Sequence, residues 1–119
     1  MNHGLKDETL ERVRRILATF SAIDRAVLYG SRAMGTYKSG SDIDLTLFGK
    51  DVDRELCAEV AMMFEASLVP FKVDVSAFEL LTHEDLKDHI RRRGVVLFDR
   101  DVWDAEQAAV RAARKGVGR

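Results

Sequence analysis

The stretch DIDLTLF, residues 42–48, alternates oxygen-bearing and apolar side chains, and no other feature limits the fold as much. Residues two apart on a strand face the same way. Ile43, Leu45 and Leu47 therefore share one face, and Asp42, Asp44 and Thr46 share the other. An apolar face of that kind belongs against a core, so the acids must look away from it. A second strand reading, KVDVS at 72–76, repeats the pattern: Val73 and Val75 oppose Lys72, Asp74 and Ser76. One helix fits between the two strands, enough chain to bring the second back beside the first and to gather three carboxylates on one patch of sheet.

The rest of the chain supplies helices to cover the apolar side. Leu10, Val13, Ile16, Leu17 and Phe20 recur at helical spacing within 7–21, with acids in the first turn where the helix dipole favours them. A strand is expected at 25–29, then a brief helical turn stopped by Gly35, a turn-rich loop, and the acid-bearing strand. Leu56, Val60, Met63 and Phe64 predict a helix from 51 or 53 to 67. The run FKVDVSAF predicts a strand, and residues 82–94 a helix capped by Thr82 and closed by Gly94. VVLF at 95–98 reads as a short strand, and 101–115 as a final helix with a thin apolar face. The expected class is α/β (α+β): a small mixed sheet with helices packed mainly on one face, in one domain over 1–119 with a core at about 7–98.

Composition bounds the function. The chain has 119 residues, of which 46% are hydrophobic and 33% charged, with a formal net charge of −1. That balance suits a globular domain and argues against an extended nucleic-acid surface, which carries a basic excess. Cys57 is the sole cysteine, so no intrachain disulfide forms and a reducing, cytoplasmic setting is expected. The polar N-terminal stretch has no signal-peptide core, and nothing approaches the roughly 20 apolar residues of a membrane helix.

Three crowded carboxylates repel one another, and a divalent cation removes the conflict. Hard oxygen ligands suit Mg²⁺, which takes phosphate oxygens in its open positions. Gly30 and Ser31 supply the other half. Gly30, lacking a Cβ, lets a phosphate approach the backbone, and Ser31 brings a hydroxyl at the start of a helical turn. Phosphoryl-group chemistry assisted by a metal is the reading these residues support.

GSRAMGTYKSGSDIDL followed by VDV resembles the minimal nucleotidyltransferase (MNT) family of the DNA polymerase β-like superfamily. Its pattern of Gly-Ser, Asp-x-Asp and a later Asp is met by Gly30, Ser31, Asp42, Asp44 and Asp74. The resemblance implies a polymerase β-like fold, ATP as substrate and two Mg²⁺ ions, with Mn²⁺ the alternative. It implies Asp42, Asp44 and Asp74 as metal ligands and catalytic residues, Asp74 also accepting the proton of the attacking hydroxyl. Gly30 and Ser31 would hold the β- and γ-phosphates, and Arg32 is a further phosphate candidate. The resemblance also implies a partner: members are typically encoded beside a HEPN-domain toxin and, as its antitoxin, can adenylylate one of its tyrosines.

Only one modest helix follows the core, so the acceptor surface is expected from another chain, in a hetero-oligomer or a homodimer. Two other readings stay open: a binding module that neutralises its partner without catalysis, and a transferase with a small-molecule acceptor. Among the remaining residues, Arg91, Arg92 and Arg93 read as a solvated helix end and His83 and His89 as surface. His3 reads as part of a frayed terminus and Cys57 as a buried apolar side chain. Trp103 suits the core or a partner equally well. Tyr37 and Lys38 fall in the loop over the acids, and no residue identifies a pocket that reads the base.

Overall fold

The computed structural model describes residues 3–117. Four strands form one sheet in the order β3-β2-β1-β4: β1 (Arg25–Tyr29), β2 (Ile43–Phe48), β3 (Val73–Ala77) and β4 (Val95–Asp99). β1 pairs antiparallel with both β2 and β4, and β2 pairs parallel with β3. A parallel pair needs a crossover, and the helix α3 (Arg54–Glu65) supplies it.

The alternation of β2 decides which face is which. Ile43, Leu45 and Leu47 are buried in one cluster with Val13 and Leu17 of α1 (Asp7–Ala18) and with Cys57, Val60 and Phe64 of α3. α1 and α3 thus cover the apolar face. The opposite face is half covered: Val27, Phe78 and Ile90 form a smaller buried cluster there, under α4 (Glu84–Arg93) and the 3₁₀ turn Phe78–Leu80. Phe48 and Phe78 stack with ring centroids 4.5 Å apart. The other half of that face, at the Tyr29–Asp44–Asp74 end, carries the acids.

α2 (Ser31–Met34) is the brief turn expected after β1 and ends at Gly35, whose φ of +75° is left-handed. α5 (Arg100–Val117) starts on the core and then runs into solvent. Its first residue is a clamp: the Arg100 guanidinium donates to the carbonyls of Ala18, Phe20 and Ile23 at 2.8–3.2 Å. Trp103 packs on Phe98, so it serves the core, while Val102 and Val110 stay exposed.

Several boundaries differ from the sequence expectation. α1 stops at Ala18, where Thr19 caps the helix and Phe20 turns inward rather than extending it. The strand of β2 begins at Ile43, so Asp42 stands on the approach to the strand rather than within it. α4 is capped by His83, whose Nδ1 accepts the Leu86 N–H at 3.2 Å, and not by Thr82. Thr82 lies one residue too early for its oxygen to reach the third amide of the helix. His3 is not frayed: its Nδ1 accepts the Leu5 N–H, and its carbonyl accepts from Arg32 at 3.0 Å.

Candidate active site

Strand register brings the acids together. Tyr29 is the cross-strand partner of Asp44, and Asp44 is the partner of Asp74. The three side chains form a row across β1, β2 and β3 on the face away from α1 and α3. Asp44 is half-buried and Asp74 exposed, so the row opens to solvent at the β3 side. Burial, the charges of Asp74 and Asp42 in that order, and a hydrogen bond to Asp74 push the Asp44 carboxyl above its ordinary pKa. Tyr29 is pushed up chiefly by burial and also by Asp44 and Asp74, against a hydrogen bond with Ser76. Lys72 Nζ stands 3.8 Å from Asp74, an exposed pair that screening weakens.

Gly30 forms the wall beside Asp44. Its φ of +78° and ψ of −152° lie where L side chains rarely sit, and a Cβ there would meet Asp44 Oδ2 at 2.6 Å. The carboxylate therefore rests against bare backbone. Ser31 opens α2 directly after it, and Met34 N–H, donating to the Gly30 carbonyl, is the first amide of that turn to bond back. α2 thus starts directly after the residue whose backbone backs Asp44.

The donor set fits a divalent cation. Asp42, Asp44 and Asp74 offer hard oxygens; burial first, and then the charges of Asp74 and Asp42, raise the Asp44 pKa, and a cation relieves the like-charge part. Among the described residues no three of His, Cys, Asp or Glu already stand as a metal-ready group. Asp44 and Asp74 form the pair in contact, and the charge of Asp42 acts on Asp44 through space.

Arg32 does not stand at this surface. It is 2% exposed and its donors are spent on protein: Nε donates to the Ser41 carbonyl and Nη1 to the His3 carbonyl, both at 3.0 Å. Its guanidinium lies over the rings of Phe71 and Tyr37, at 4.5 and 5.1 Å. As a phosphate contact it is thereby corrected: it bolts the N-terminal segment to the loop that carries Asp42. Tyr37 belongs to the same bolt. Replacing Arg32 with alanine should destabilise the chain by about 3 kcal/mol, because it removes two charge-assisted hydrogen bonds to the part-buried carbonyls of His3 and Ser41 and empties a buried site. Urea unfolding would measure it, and a loss below about 1 kcal/mol would contradict the assigned role.

Tyr29 went unnoticed in the sequence, although its place just before Gly30 was a signal. A hairpin between 25–29 and 43–48 sets the last residue of the first strand beside the second acid. Arg92 pairs with Asp88, Arg91 lies over Phe78, and Cys57 is buried, which pushes its thiol up.

A four-stranded mixed sheet with paired acids beside a Gly-Ser turn is the core of a nucleotidyltransferase. The family profile described as "Polymerase beta, Nucleotidyltransferase" matches residues 11–102, and the chain belongs to that family. The fold is similar to a chain of a toxin–antitoxin complex with AMP-PNP, at 19% identity, 95% coverage of both chains and a TM-score of 0.62. It is also similar to a chain of a tri-AMPylated Shewanella oneidensis HEPN toxin in complex with MNT antitoxin, at 16% identity, 95% coverage of both and a TM-score of 0.62. A chain of a MntA–HepT toxin–antitoxin complex matches at 16% identity over 94% of this chain and 95% of that one, with a TM-score of 0.61. Likeness at this identity is likeness of fold. Comparison with curated proteins finds no match.

Proposed function

We propose that this protein transfers a nucleoside monophosphate, AMP from ATP, to a hydroxyl of a HEPN-domain partner, and so acts as its antitoxin. The observation that carries the reading is the side-by-side placing of Asp44 and Asp74 on paired strands, with the Gly30 backbone against Asp44 and Ser31 next in the chain, in a nucleotidyltransferase chain. The HEPN partner is supported by fold likeness to chains of complexes containing such toxins. Among the described residues no helix is long and apolar enough to cross a membrane.

Each residue has a task. The Gly30 backbone and the Ser31 hydroxyl receive the β- and γ-phosphates. Asp42, Asp44 and Asp74 would hold Mg²⁺, which neutralises the triphosphate and makes the α-phosphorus easier to attack. Asp74, exposed on β3 beside Asp44, takes the proton from the acceptor hydroxyl as its oxygen bonds to the α-phosphorus. The bond from that phosphorus to the bridging oxygen breaks, and pyrophosphate leaves. Tyr29 backs the pair and keeps Asp44 partly dry.

Pyrophosphate release tests the reading. The protein with ATP and Mg²⁺ should release pyrophosphate only when the HEPN-domain chain is added, in proportion to that chain. Release with the protein alone and a small hydroxylated acceptor, at an equal rate, would overturn the protein-acceptor assignment.

A further inference from the structure

β3 carries Asp74 and is an edge strand, because the sheet order leaves its outer side unpaired among the described residues. The backbone there has a defined sense. Ile43 N–H donates to the Lys72 carbonyl at 2.9 Å, so Lys72, Asp74 and Ser76 turn their backbone groups toward β2. Val73 and Val75 therefore turn theirs outward, away from the sheet. An unpaired row of this kind is a template for another extended chain. The other edge, β4, lies two strands from Asp44 and carries no member of the acid row.

A groove runs along the same edge, between β3 and α3. One cavity of about 580 Å³ is lined by Phe64, Val69, Phe71 and Val73, and another of about 350 Å³ by Cys57, Ala58, Leu80 and Leu81. Ala61 and Val75 line both, so the two are continuous, and small alanines of α3 leave the space open. The charges differ along the groove: Glu65, Asp74 and Lys72, two acids to one base, line the first cavity, and Arg54 is the charged residue of the second.

We infer that the β3 edge docks an extended segment of the acceptor chain, antiparallel to β3, with a hydroxyl side chain between two apolar ones. The inference rests on the reading that a second chain supplies the acceptor. The residue beside Asp74 on an added strand projects onto the acid face, one strand spacing from Asp74, about 4.8 Å between backbones. Its two neighbours stand beside Val73 and Val75 and project to the α3 side, into the groove. The segment's N-terminal end, beside Ala77 near Arg54, is acidic, and its C-terminal end, beside Phe71 near Glu65, is basic. Main-chain bonds give such a segment its affinity, and the alternating pockets and end charges give it its choice of sequence.

The probe is a fluorescein-labelled peptide Glu-Thr-Val-Tyr-Val-Thr-Lys, titrated with the full chain by anisotropy without nucleotide, alongside amide hydrogen exchange. The peptide should bind saturably and slow exchange at Val73 and Val75. Val75→Pro removes an outward donor at an edge, where proline is tolerated, and Ala61→Trp fills the groove from an accessible helix position. Each should weaken binding about tenfold, as should methylation of alternate peptide amides or exchange of the peptide's end charges. No saturable binding, or binding that all four changes leave alone, overturns the inference. So does a dimer of this chain that Val75→Pro splits, since a second copy would then own the edge. Binding is read apart from transfer, so a chain that binds the peptide but transfers nothing counts against the proposed reaction alone.

Discussion

Replacing Asp44 with asparagine should abolish nucleotidyl transfer and at the same time make the metal-free protein more stable at neutral pH. The two effects have one cause. Asp44 is pressed by burial and by the charges of Asp74 and Asp42, and its pKa in the folded chain is raised. A raised carboxyl pKa means the folded state holds the proton more tightly than the unfolded one. Stability is then full below the ordinary carboxyl pKa and declines as pH rises through the raised value. At pH 7 the wild-type chain carries that penalty, and asparagine does not. Thermal melting between pH 4 and 8 should show the wild type losing stability across this rise, with a flatter profile for Asp44→Asn. Mg²⁺ should restore the wild type and leave the variant unmoved. Transfer should fall about a thousandfold or more, the scale of removing a group that supplies several kcal/mol to the barrier. A variant that is both inactive and less stable would point to a structural role for Asp44 instead.

Gly30→Ala should be the second severe change, through geometry rather than charge. The backbone at Gly30 lies in a region that costs a residue with a Cβ about 1–3 kcal/mol. The added carbon would also sit 2.6 Å from Asp44 Oδ2, so the carboxylate must leave its place. Gly40→Ala is the control: its φ of +83° is also positive, but a Cβ there meets nothing within 4 Å. Both variants should lose stability in urea, Gly30→Ala by about 2 kcal/mol. Only Gly30→Ala should lose binding of a non-hydrolysable triphosphate analogue. Equal nucleotide binding by the two variants would contradict the place given to Gly30.

Much of this arrangement is written in short-range pattern. Residues 42–48 and 72–76 alternate, and alternation alone separates Leu45 from Asp44 and Val73 from Asp74. The strand pairing that makes Asp44 and Asp74 neighbours follows from one intervening helix. What stayed illegible depends on contacts between distant segments. Arg32 sits beside the Gly-Ser pair and so reads as a phosphate ligand, yet its guanidinium is claimed by carbonyls of His3 and Ser41 and by the ring of Phe71. No local rule gives that burial. The cap of α4 is a similar case, since Thr82 and His83 are both able acceptors and only the start of the helix decides between them. The open edge of β3 could be recognised only once the order of the strands was known.

The most direct measurement is the intact mass of a HEPN-domain partner chain after incubation with this protein, ATP and Mg²⁺. The partner should gain the mass of one or more AMP groups, and Asp44→Asn should leave it unmodified. An unchanged partner, or the same gain with Asp44→Asn, would contradict transfer by this site.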